Sequence, residues 1–384
     1  MTVTHQKALT LAQDLIRCPS ITPKDAGVFD VLETALDDLG FTCHRLVFEK
    51  EGLEPVSNLF ASFGNGAPHF CFAGHLDVVP TGDEAAWQHP PFAATVEDGI
   101  LYGRGTSDMK GAVAGFIAAA EDFINKHQDF NGTISLLIAG DEEDPKIAGT
   151  RHVLEWLQDK NLIPDMCLVG EPTNPAELGE MIKIGRRGSV TGHLKVSGMQ
   201  GHAAYPHLAD NPLPKMVALL SAVDQIVFDQ GSDFFQPTNL EIVSIDTGNT
   251  ADNVIPVSCT AMFNTRFNDL HSSDTVIKQI EAALNSTGYS YEINYHISGE
   301  SFLTTPGALS DTLASAVQEV TGRTPDLTTT GGTSDARFIS QYCPVVEFGG
   351  VGASMHKIDE HIELATLNQL TDIYSLVLTR IFNP

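Results

Sequence analysis

The sequence predicts an α/β domain with a mostly parallel central sheet, interrupted by an inserted α+β domain. Three observations carry this prediction. A chain of 384 residues exceeds what one hydrophobic core usually serves, which favours two domains. In the first half of the chain, apolar segments of strand length alternate with helical segments, an order typical of a parallel sheet covered on both faces. The middle of the chain instead has the order β-α-β-β-α-β, which is ferredoxin-like.

The elements of the first part follow from hydrophobic periodicity. Amphipathic helices are predicted at 5–17 and 26–40, where apolar residues recur at helical spacing. The segment 69–74 (HFCFAG) is a short apolar strand that ends at His75, and 112–124 is a helix of small residues. This part continues with an apolar strand, a helix and another apolar strand, at 133–140, 150–159 and 166–170.

The pattern changes in the middle of the chain, where apolar and polar residues alternate as they do in half-exposed strands. The strands and helices predicted there are 189–197, 211–228, 239–247, 256–267, 273–285 and 289–297. The helix–strand pattern then resumes and includes an apolar strand at 343–348. We therefore expect one domain formed by 1–186 and 299–384, with an inserted domain at 187–298.

Composition disfavours several classes of partner. A net charge of −27 disfavours nucleic acid and anionic membranes, because phosphate binding needs a surplus of lysine and arginine. The sequence has no apolar run of membrane-spanning length, and its N-terminal segment is amphipathic, which predicts a helix rather than a secretory signal. The six cysteines lack CxxC spacing, which indicates reduced thiols and a cytoplasmic location.

Acids and histidines cluster at the ends of the predicted strands and in glycine-rich loops. Ligands of parallel sheets bind at the carboxyl ends of the strands. Four consecutive acids at 141–144 follow an apolar strand, where mutual repulsion and desolvation favour a bound dication, although exposure of the loop to solvent would relieve the same repulsion. The candidate site residues are His75, Asp77, Asp108, Glu142, Glu143, Glu171 and His356.

These residue types favour a metal centre. Imidazole and carboxylate donors without thiolate suit zinc, manganese or cobalt. Two ions that share one carboxylate, each with one imidazole and one further carboxylate, need five residues. The residues that fill this count are His75, Asp108, Glu143, Glu171 and His356. A carboxylate left free beside two metals is what metal-assisted hydrolysis needs, and one of two adjacent glutamates can accept a proton from water. Taken singly, each residue could also be structural, and Asp108 could be a helix N-cap.

The segments GHLDVVP, GRGTSDMKG, DEE and GEPT, followed by the insert and a late histidine, resemble the di-zinc metallopeptidases and deacylases over nearly the whole chain. That family includes aminoacylases, acetylornithine deacetylases, glutamate carboxypeptidases and succinyl-diaminopimelate desuccinylases. The metal ligands that the resemblance implies are His75 and Glu171 for one ion, Glu143 and His356 for the other, and a bridging Asp108. It also implies Glu142 as general base, Asp77 as the residue that orients His75, and a non-proline cis peptide after Asp108.

Within this family, the stretches GRRGS and GGTSDARF resemble the succinyl-diaminopimelate desuccinylases most. This implies hydrolysis of N-succinyl-LL-2,6-diaminopimelate to succinate and LL-2,6-diaminopimelate, a step of lysine and diaminopimelate biosynthesis. An acetylornithine-type deacylase, a dipeptidase and a non-catalytic binding protein of the same fold stay as alternatives.

The implied substrate carries three carboxylates, and arginine binds carboxylate with a planar fork that lysine lacks. The residues expected to bind the substrate are Arg187, Ser189, Tyr205, Asn253, Arg266, Gly332 and Thr333. The resemblance further implies a homodimer formed through the insert. In that dimer, His202 and Asn253 of one subunit reach the metal site of the other, and His202 stabilises the oxyanion.

Overall fold

The chain divides into two units in this computed structural model. The residues that the structure describes are 1–49, 52, 54–144 and 148–382. Unit 1 comprises Met1–Ile184, Thr304–Thr328 and Ser334–Pro384, and unit 2 comprises Gly185–Leu303 and Thr329–Thr333. The short second segment belongs to unit 2 because Arg186 donates a hydrogen bond to the carbonyl of Gly332 and Thr329 donates one to the carbonyl of Phe234.

The helices and strands are numbered in chain order. The helices are α1 (Val3–Ile16), α2 (Val28–Asp37), α3 (Gly111–Lys126), α4 (Thr150–Lys160), α5 (Pro212–Asp224), α6 (Ser273–Ser286), α7 (Ala308–Thr321), α8 (Ala336–Ile339) and α9 (Leu364–Phe382). The strands up to the start of the insert are β1 (Thr42–Phe48), β2 (Val56–Asn65), β3 (His69–His75), β4 (Thr95–Glu97), β5 (Ile100–Tyr102), β6 (Gly132–Ala139), β7 (Met166–Val169), β8 (Met181–Lys183) and β9 (Gly185–Arg186). The later strands are β10 (Gly188–Ser197), β11 (Gly201–His202), β12 (Asn239–Asp246), β13 (Val254–Ile255), β14 (Ser258–Phe267), β15 (Glu292–Gly299), β16 (Phe302–Leu303), β17 (Asp326–Thr328), β18 (Val345–Glu347) and β19 (His361–Glu363).

The main sheet of unit 1 has the strand order β1-β2-β6-β3-β7-β18-β8-β17 among the described residues. Its central strands β6, β3, β7 and β18 run parallel to one another, whereas β2 and β8, which flank them, pair antiparallel with β6 and β18. Strands β3 and β6 are buried along most of their length, as expected for strands covered on both faces. The carboxyl ends of these parallel strands meet at one edge of the sheet, which is where the candidate residues of unit 1 lie.

Helices α1, α3 and α9 pack against one another in unit 1. Helix α3 can approach its neighbours closely because its buried face consists largely of alanine and glycine. An added Cβ at Gly115 would lie 3.1 Å from Thr371 Oγ1 of α9, so a larger residue there would require the neighbouring side chain to shift by a few tenths of an ångström. Phe116 of α3 stacks on Phe72 of β3, with ring centroids 4.3 Å apart, and so joins this helix layer to the sheet. No helix within the described ranges combines the length and apolar character needed to cross a membrane.

Unit 2 is built on an antiparallel sheet with the strand order β12-β14-β10-β15. With α5 and α6, its chain order is β-α-β-β-α-β. Along β10, Leu194 and Val196 are buried and His193 and Lys195 are exposed, so only one sheet face contributes to the core. The predicted fold class, a mostly parallel α/β sheet interrupted by a ferredoxin-like α+β insert, is confirmed.

Two of the differences from the sequence prediction have a clear physical reason. The hairpin β1–β2 was not expected, because β1 is a half-buried edge strand without an apolar run, and its Arg45 pairs with Asp30 and Glu33 of α2. Helix α5 ends well before the predicted limit at 228. The apolar residues beyond its end, Ile226 and Phe228, pack against the core of unit 2 from a loop and therefore extend the apolar pattern without extending the helix.

Candidate active site

The candidate residues of unit 1 lie together at the carboxyl edge of the parallel strands. His75 is the last residue of β3, the acids 141–144 follow β6, and Glu171 follows β7. His356 lies in the loop after β18 and has a left-handed backbone, with φ at 63°. A non-glycine residue is uncommon in this conformation, and such residues cluster at functional sites. The predicted concentration of site residues at the strand ends is thus present in the structure.

Asp108 lies between two histidines. Its Oδ1 is 3.2 Å from Nε2 of His75, and its Oδ2 is 3.1 Å from Nε2 of His356. One carboxylate that directs a separate oxygen to each imidazole has the geometry of a ligand shared by two cations. The peptide bond between Asp108 and Met109 is cis, as the resemblance implied.

Each histidine also has a second carboxylate beside it. Glu171 Oε1 is 3.8 Å from Nε2 of His75, and Glu143 Oε1 is 2.9 Å from Nε2 of His356. By donor-atom distance alone, the described residues contain two sets of three that could hold a metal ion, with all donor atoms within 4.8 Å of one another. These sets are His75–Asp108–Glu143 and His75–Glu142–Glu171. The five predicted ligands are therefore adjacent, and Glu142 lies at the same centre.

The electrostatics of this cluster favour a bound cation. Burial lowers the pKa of His75, but hydrogen bonds and charge from Asp108 and Asp77 outweigh it and bring the pKa well above 6.5. Hydrogen bonds with Asp108 and Glu143 raise the pKa of His356 to about 10. Burial raises the pKa of Asp108, but hydrogen bonds with both histidines lower it by more. Positive charge is thus stabilised here, and a donor set of imidazole nitrogens and carboxylate oxygens fits zinc, cobalt or manganese.

Asp77 holds two parts of the site in place. The Nδ1 atom of His75 is 2.9 Å from the backbone carbonyl of Asp77 and 3.5 Å from its carboxylate. The two carboxylate oxygens of Asp77 accept hydrogen bonds from the backbone N–H groups of Glu142 and Glu143, at 3.1 and 3.0 Å. The sequence predicted contact with the histidine, and the structure adds that the same carboxylate orients the turn with both glutamates.

Three buried residues without a predicted role connect the loops of the site. Asn174 joins the loop after Glu171 to the glycine-rich loop before His356, because its Nδ2 donates to the carbonyl of Gly349 at 2.9 Å. Arg104 and Glu360 form a buried ion pair at 2.7 Å. Arg104 lies in the segment GRGTSDMKG that carries the family resemblance, which is a sequence signal, but the burial of the two charged residues is not visible in a sequence.

The arginines predicted to bind substrate lie in unit 2. Nε of Arg266 donates a hydrogen bond to Oδ1 of Asn264 at 2.8 Å, and Asn264 in turn donates to Oγ of Ser189 at 3.2 Å. Arg187 donates to Oδ1 of Asn239 at 2.9 Å. Burial lowers the pKa of both arginines, and the positive charge of Arg266 lowers that of Arg187 further. Two half-buried guanidinium groups near one another favour an anionic partner.

His202 and Asn253 are adjacent in unit 2. Strand β11 pairs with β13 so that His202 lies opposite Val254, and the N–H of Ala203 donates to the carbonyl of Asn253 at 2.9 Å. His202 is exposed, and its ring contacts that of Tyr205 edge-on, at 5.6 Å between centroids. Gly332 and Thr333 belong to the short second segment of unit 2, where Gly332 accepts the hydrogen bond from Arg186.

The sequence matches a known protein family over most of its length. Residues 71–380 match the model of peptidase family M20/M25/M40. A protein named succinyl-diaminopimelate desuccinylase from Rhodospirillum centenum is 56% identical over 374 residues, which cover 97% of both chains. A protein of the same name from Parvibaculum lavamentivorans is 54% identical over 378 residues, which cover 97% of this chain and 95% of the relative.

The fold is also shared with a solved structure. The crystal structure of an M20 family metallo-carboxypeptidase from Sulfolobus solfataricus aligns with a TM-score of 0.79, covering 98% of this chain and 99% of the other. Its sequence identity of 17% makes this a likeness of fold alone.

Proposed function

This chain belongs to peptidase family M20/M25/M40, and we propose that it is the hydrolase that converts N-succinyl-LL-2,6-diaminopimelate and water to succinate and LL-2,6-diaminopimelate. This reaction is a step of lysine and diaminopimelate biosynthesis. The observation that carries the chemistry is Asp108, whose two oxygens face His75 and His356 separately. The substrate follows from relatives of that name that are more than half identical over nearly the whole chain.

The metal assignment is part of the proposal. Two divalent ions, zinc with cobalt or manganese as alternatives, would both be bound by Asp108. The remaining ligands are His75 and Glu171 for one ion, and Glu143 and His356 for the other. Such ions polarise a carbonyl group and lower the pKa of an attacking water molecule. The distances of 3.8 Å from Glu171 to His75 and 2.9 Å from Glu143 to His356 support this division.

Glu142 is the general acid and base in this proposal. It accepts a proton from the water that attacks the succinyl amide carbon, and it returns this proton to the nitrogen as the carbon–nitrogen bond breaks. The oxygen of the water remains in the carboxylate of succinate. The Glu142 side chain is largely buried beside His75 and Glu171, and its backbone is held by Asp77, which keeps a proton acceptor at a defined position.

His202 stabilises the oxyanion that forms during the attack. Nδ1 of His202 accepts a hydrogen bond from the N–H of Ala204 at 3.1 Å, so the proton of the neutral ring resides on Nε2. The Nε2–H group is then available as a hydrogen-bond donor. Binding of the substrate's polar groups falls to Arg187, Ser189, Tyr205, Asn253, Arg266, Gly332 and Thr333.

A substrate panel tests the proposed activity directly. Purified protein loaded with zinc or cobalt is assayed with N-succinyl-LL-2,6-diaminopimelate, N-acetylornithine and a dipeptide, with metal content measured on the same samples. We expect the succinylated substrate to have the highest kcat/KM and a chelator to abolish its turnover. Preference for either other substrate would instead make the chain a deacylase or dipeptidase of this family. Absence of all metal-dependent turnover would favour a binding protein.

Replacing Arg266 with lysine is expected to lower kcat/KM for the succinylated substrate by about 10- to 100-fold. A hydrogen bond to a charged group contributes about 1.5–3 kcal/mol, and a lysine cannot reproduce the two-pronged contact. Arg187→Lys is expected to act in the same direction. Arg151→Lys is the matched control, because Arg151 is exposed on α4 and pairs with Glu155 of the same helix. Unchanged kcat/KM in both unit 2 variants would exclude these arginines from substrate binding.

We propose a homodimer formed through the edge of the unit 2 sheet. Strand β12 is an edge strand, and its Val243 and Ile245 are 52% and 57% exposed. An exposed apolar edge strand is a template for pairing with another chain, and a two-fold axis would make one continuous sheet from two copies. His202 and Asn253 then serve the metal site of the partner subunit.

Mixing two inactive variants tests this dimer. A Glu142→Gln chain combined with a His202→Ala chain should regain about a quarter of the wild-type activity after random exchange, because half of the dimers are mixed and each has one intact site. The control pair is Glu142→Gln with Asp108→Asn, in which every site keeps a defect and no recovery is expected. Mixed dimers that form but stay inactive would show that His202 does not serve a partner's site.

A further inference from the structure

We infer that the buried Arg104–Glu360 ion pair is a positioning device that holds Asp108 and His356 in the geometry for binding metal. This inference rests on the metal roles proposed above for those two residues. The side chain of Arg104 is 2% exposed and that of Glu360 is 0% exposed, so neither can contact a substrate in solution. Both act through the segments that they join.

The carboxylate of Glu360 organises the loop that ends in Asp108. Its Oε1 atom accepts hydrogen bonds from the backbone N–H groups of Gly105, Ser107 and Asp108, at 3.1, 3.0 and 3.1 Å. Successive backbone N–H groups that converge in this way form a concave anion-binding site, and here its anion is supplied by the protein itself. Because one of these donors is the N–H of Asp108, any displacement of Glu360 displaces the backbone that carries the shared carboxylate.

The guanidinium of Arg104 links the turn that carries His356 to the loop that ends in Asp108. Its NH1 donates to Oε2 of Glu360 at 2.7 Å and to the carbonyl of Lys357 at 3.1 Å. Lys357 directly follows His356 in the chain, so this contact lies one residue from the histidine. Its NH2 donates to the carbonyl of Pro80 at 3.1 Å, in the segment that follows His75 and Asp77. The side chain of Arg104 therefore joins the three segments that carry Asp108, His356 and His75.

The ion pair is a costly way to stabilise a fold, which argues for a positional role. Removing two charges from water costs several kcal/mol per ion, and an apolar pair of similar volume often stabilises a protein equally well. An apolar pair would leave the three N–H groups at Gly105, Ser107 and Asp108 buried without an acceptor. It would also provide no group to bind the carbonyl of Lys357. The charges are thus needed to fix both ligand-bearing segments at once.

Glu360→Gln tests the inference with a minimal change of shape. The amide keeps one oxygen for the loop N–H groups but loses the charge that holds Arg104. Residues that orient metal ligands typically contribute 10- to 100-fold to metal affinity, so metal binding should weaken by about that factor. Glu363→Gln is the matched control, since it makes the same change at an exposed position three residues further on.

Metal-free protein is titrated with Co²⁺, and the visible absorption bands of the bound ion report affinity and coordination geometry independently of turnover. We expect weaker binding and altered bands in Glu360→Gln, wild-type binding in Glu363→Gln, and cooperative thermal unfolding in both. Wild-type cobalt affinity and spectrum in Glu360→Gln, with only a lower unfolding temperature, would overturn the inference, because the pair would then stabilise the fold alone.

A second variant keeps the test decisive if Glu360→Gln does not fold. Arg104→Lys retains the positive charge beside Glu360, but one ammonium group cannot span the carbonyls of both Lys357 and Pro80. It should therefore also weaken cobalt binding and alter the bands, and a wild-type titration would contradict the inference. If the wild-type protein itself bound no cobalt, the proposed metal centre would fail, which is a different result from a variant that binds as wild type does.

Discussion

Replacing Glu142 with glutamine is expected to lower kcat by about 10²- to 10⁴-fold, the usual contribution of a positioned general acid and base. The amide cannot accept the proton of the attacking water. Its shape matches that of glutamate, and the hydrogen bond from the backbone N–H of residue 142 to Asp77 does not depend on the side chain. The metal content should therefore stay at the wild-type value, as measured by elemental analysis of the same preparation used for kinetics.

Glu143→Gln is the variant to compare with Glu142→Gln, because it makes the same chemical change at the next residue. Glu143 lies 2.9 Å from His356 and is the proposed metal ligand. This second variant should lose metal, and its activity should recover in part when zinc or cobalt is raised. Glu142→Gln should show no such recovery. Loss of metal from Glu142→Gln, with normal turnover per bound ion, would reverse the two assignments.

Replacing Asp108 with asparagine is expected to reduce kcat/KM by at least about 10³-fold and to lower the metal content from two ions per chain to one or fewer. Each oxygen of Asp108 faces a different histidine, and an amide can offer only one oxygen. The transition-state stabilisation that bound metal provides is several kcal/mol, and each 1.36 kcal/mol corresponds to a tenfold change in rate. Metal stoichiometry by elemental analysis and kinetics at saturating zinc measure both effects.

Asp159→Asn provides the control for this change, since Asp159 is exposed on α4. It should keep two metal ions and wild-type kinetics. The shared-ligand assignment would be refuted by an Asp108→Asn protein that retains two ions and full activity. Full activity of the wild-type protein with a single ion at saturating zinc would refute the two-metal form of the centre.

The sequence was most informative where a buried, apolar strand is followed directly by acidic side chains. Strand β6 is a near-continuous apolar run followed by acids, and both the strand and the position of Glu142 and Glu143 at its end could be read from that pattern. Strand β1 could not be predicted in this way. It is a half-buried edge strand without an apolar run, and its Arg45 forms ion pairs with Asp30 and Glu33 of α2.

The residues that support the site escaped prediction for a related reason. Asn174 and Glu360 are buried polar residues whose partners are distant in sequence or are backbone groups, and neither type of partner leaves a periodic pattern. Asn264 is similar, because its contacts with Ser189 and Thr191 cross from β14 to the neighbouring strand β10 of unit 2. The spacing of residues in a sequence indicates which of them are neighbours within one helix or strand. These contacts instead depend on which strands and loops lie side by side in the fold.

The sequence by itself determined the fold class and the inserted unit, and it predicted a set of donor residues, because hydrophobic period and residue chemistry are local properties. Only the tertiary structure decided which donors meet. It brought His75 and His356 to opposite oxygens of Asp108, and it directed both oxygens of Asp77 to the turn with the two glutamates. The physical reason is that distances of about 3 Å between residues far apart in sequence are set by strand order and loop hydrogen bonds, which exist only in the folded chain.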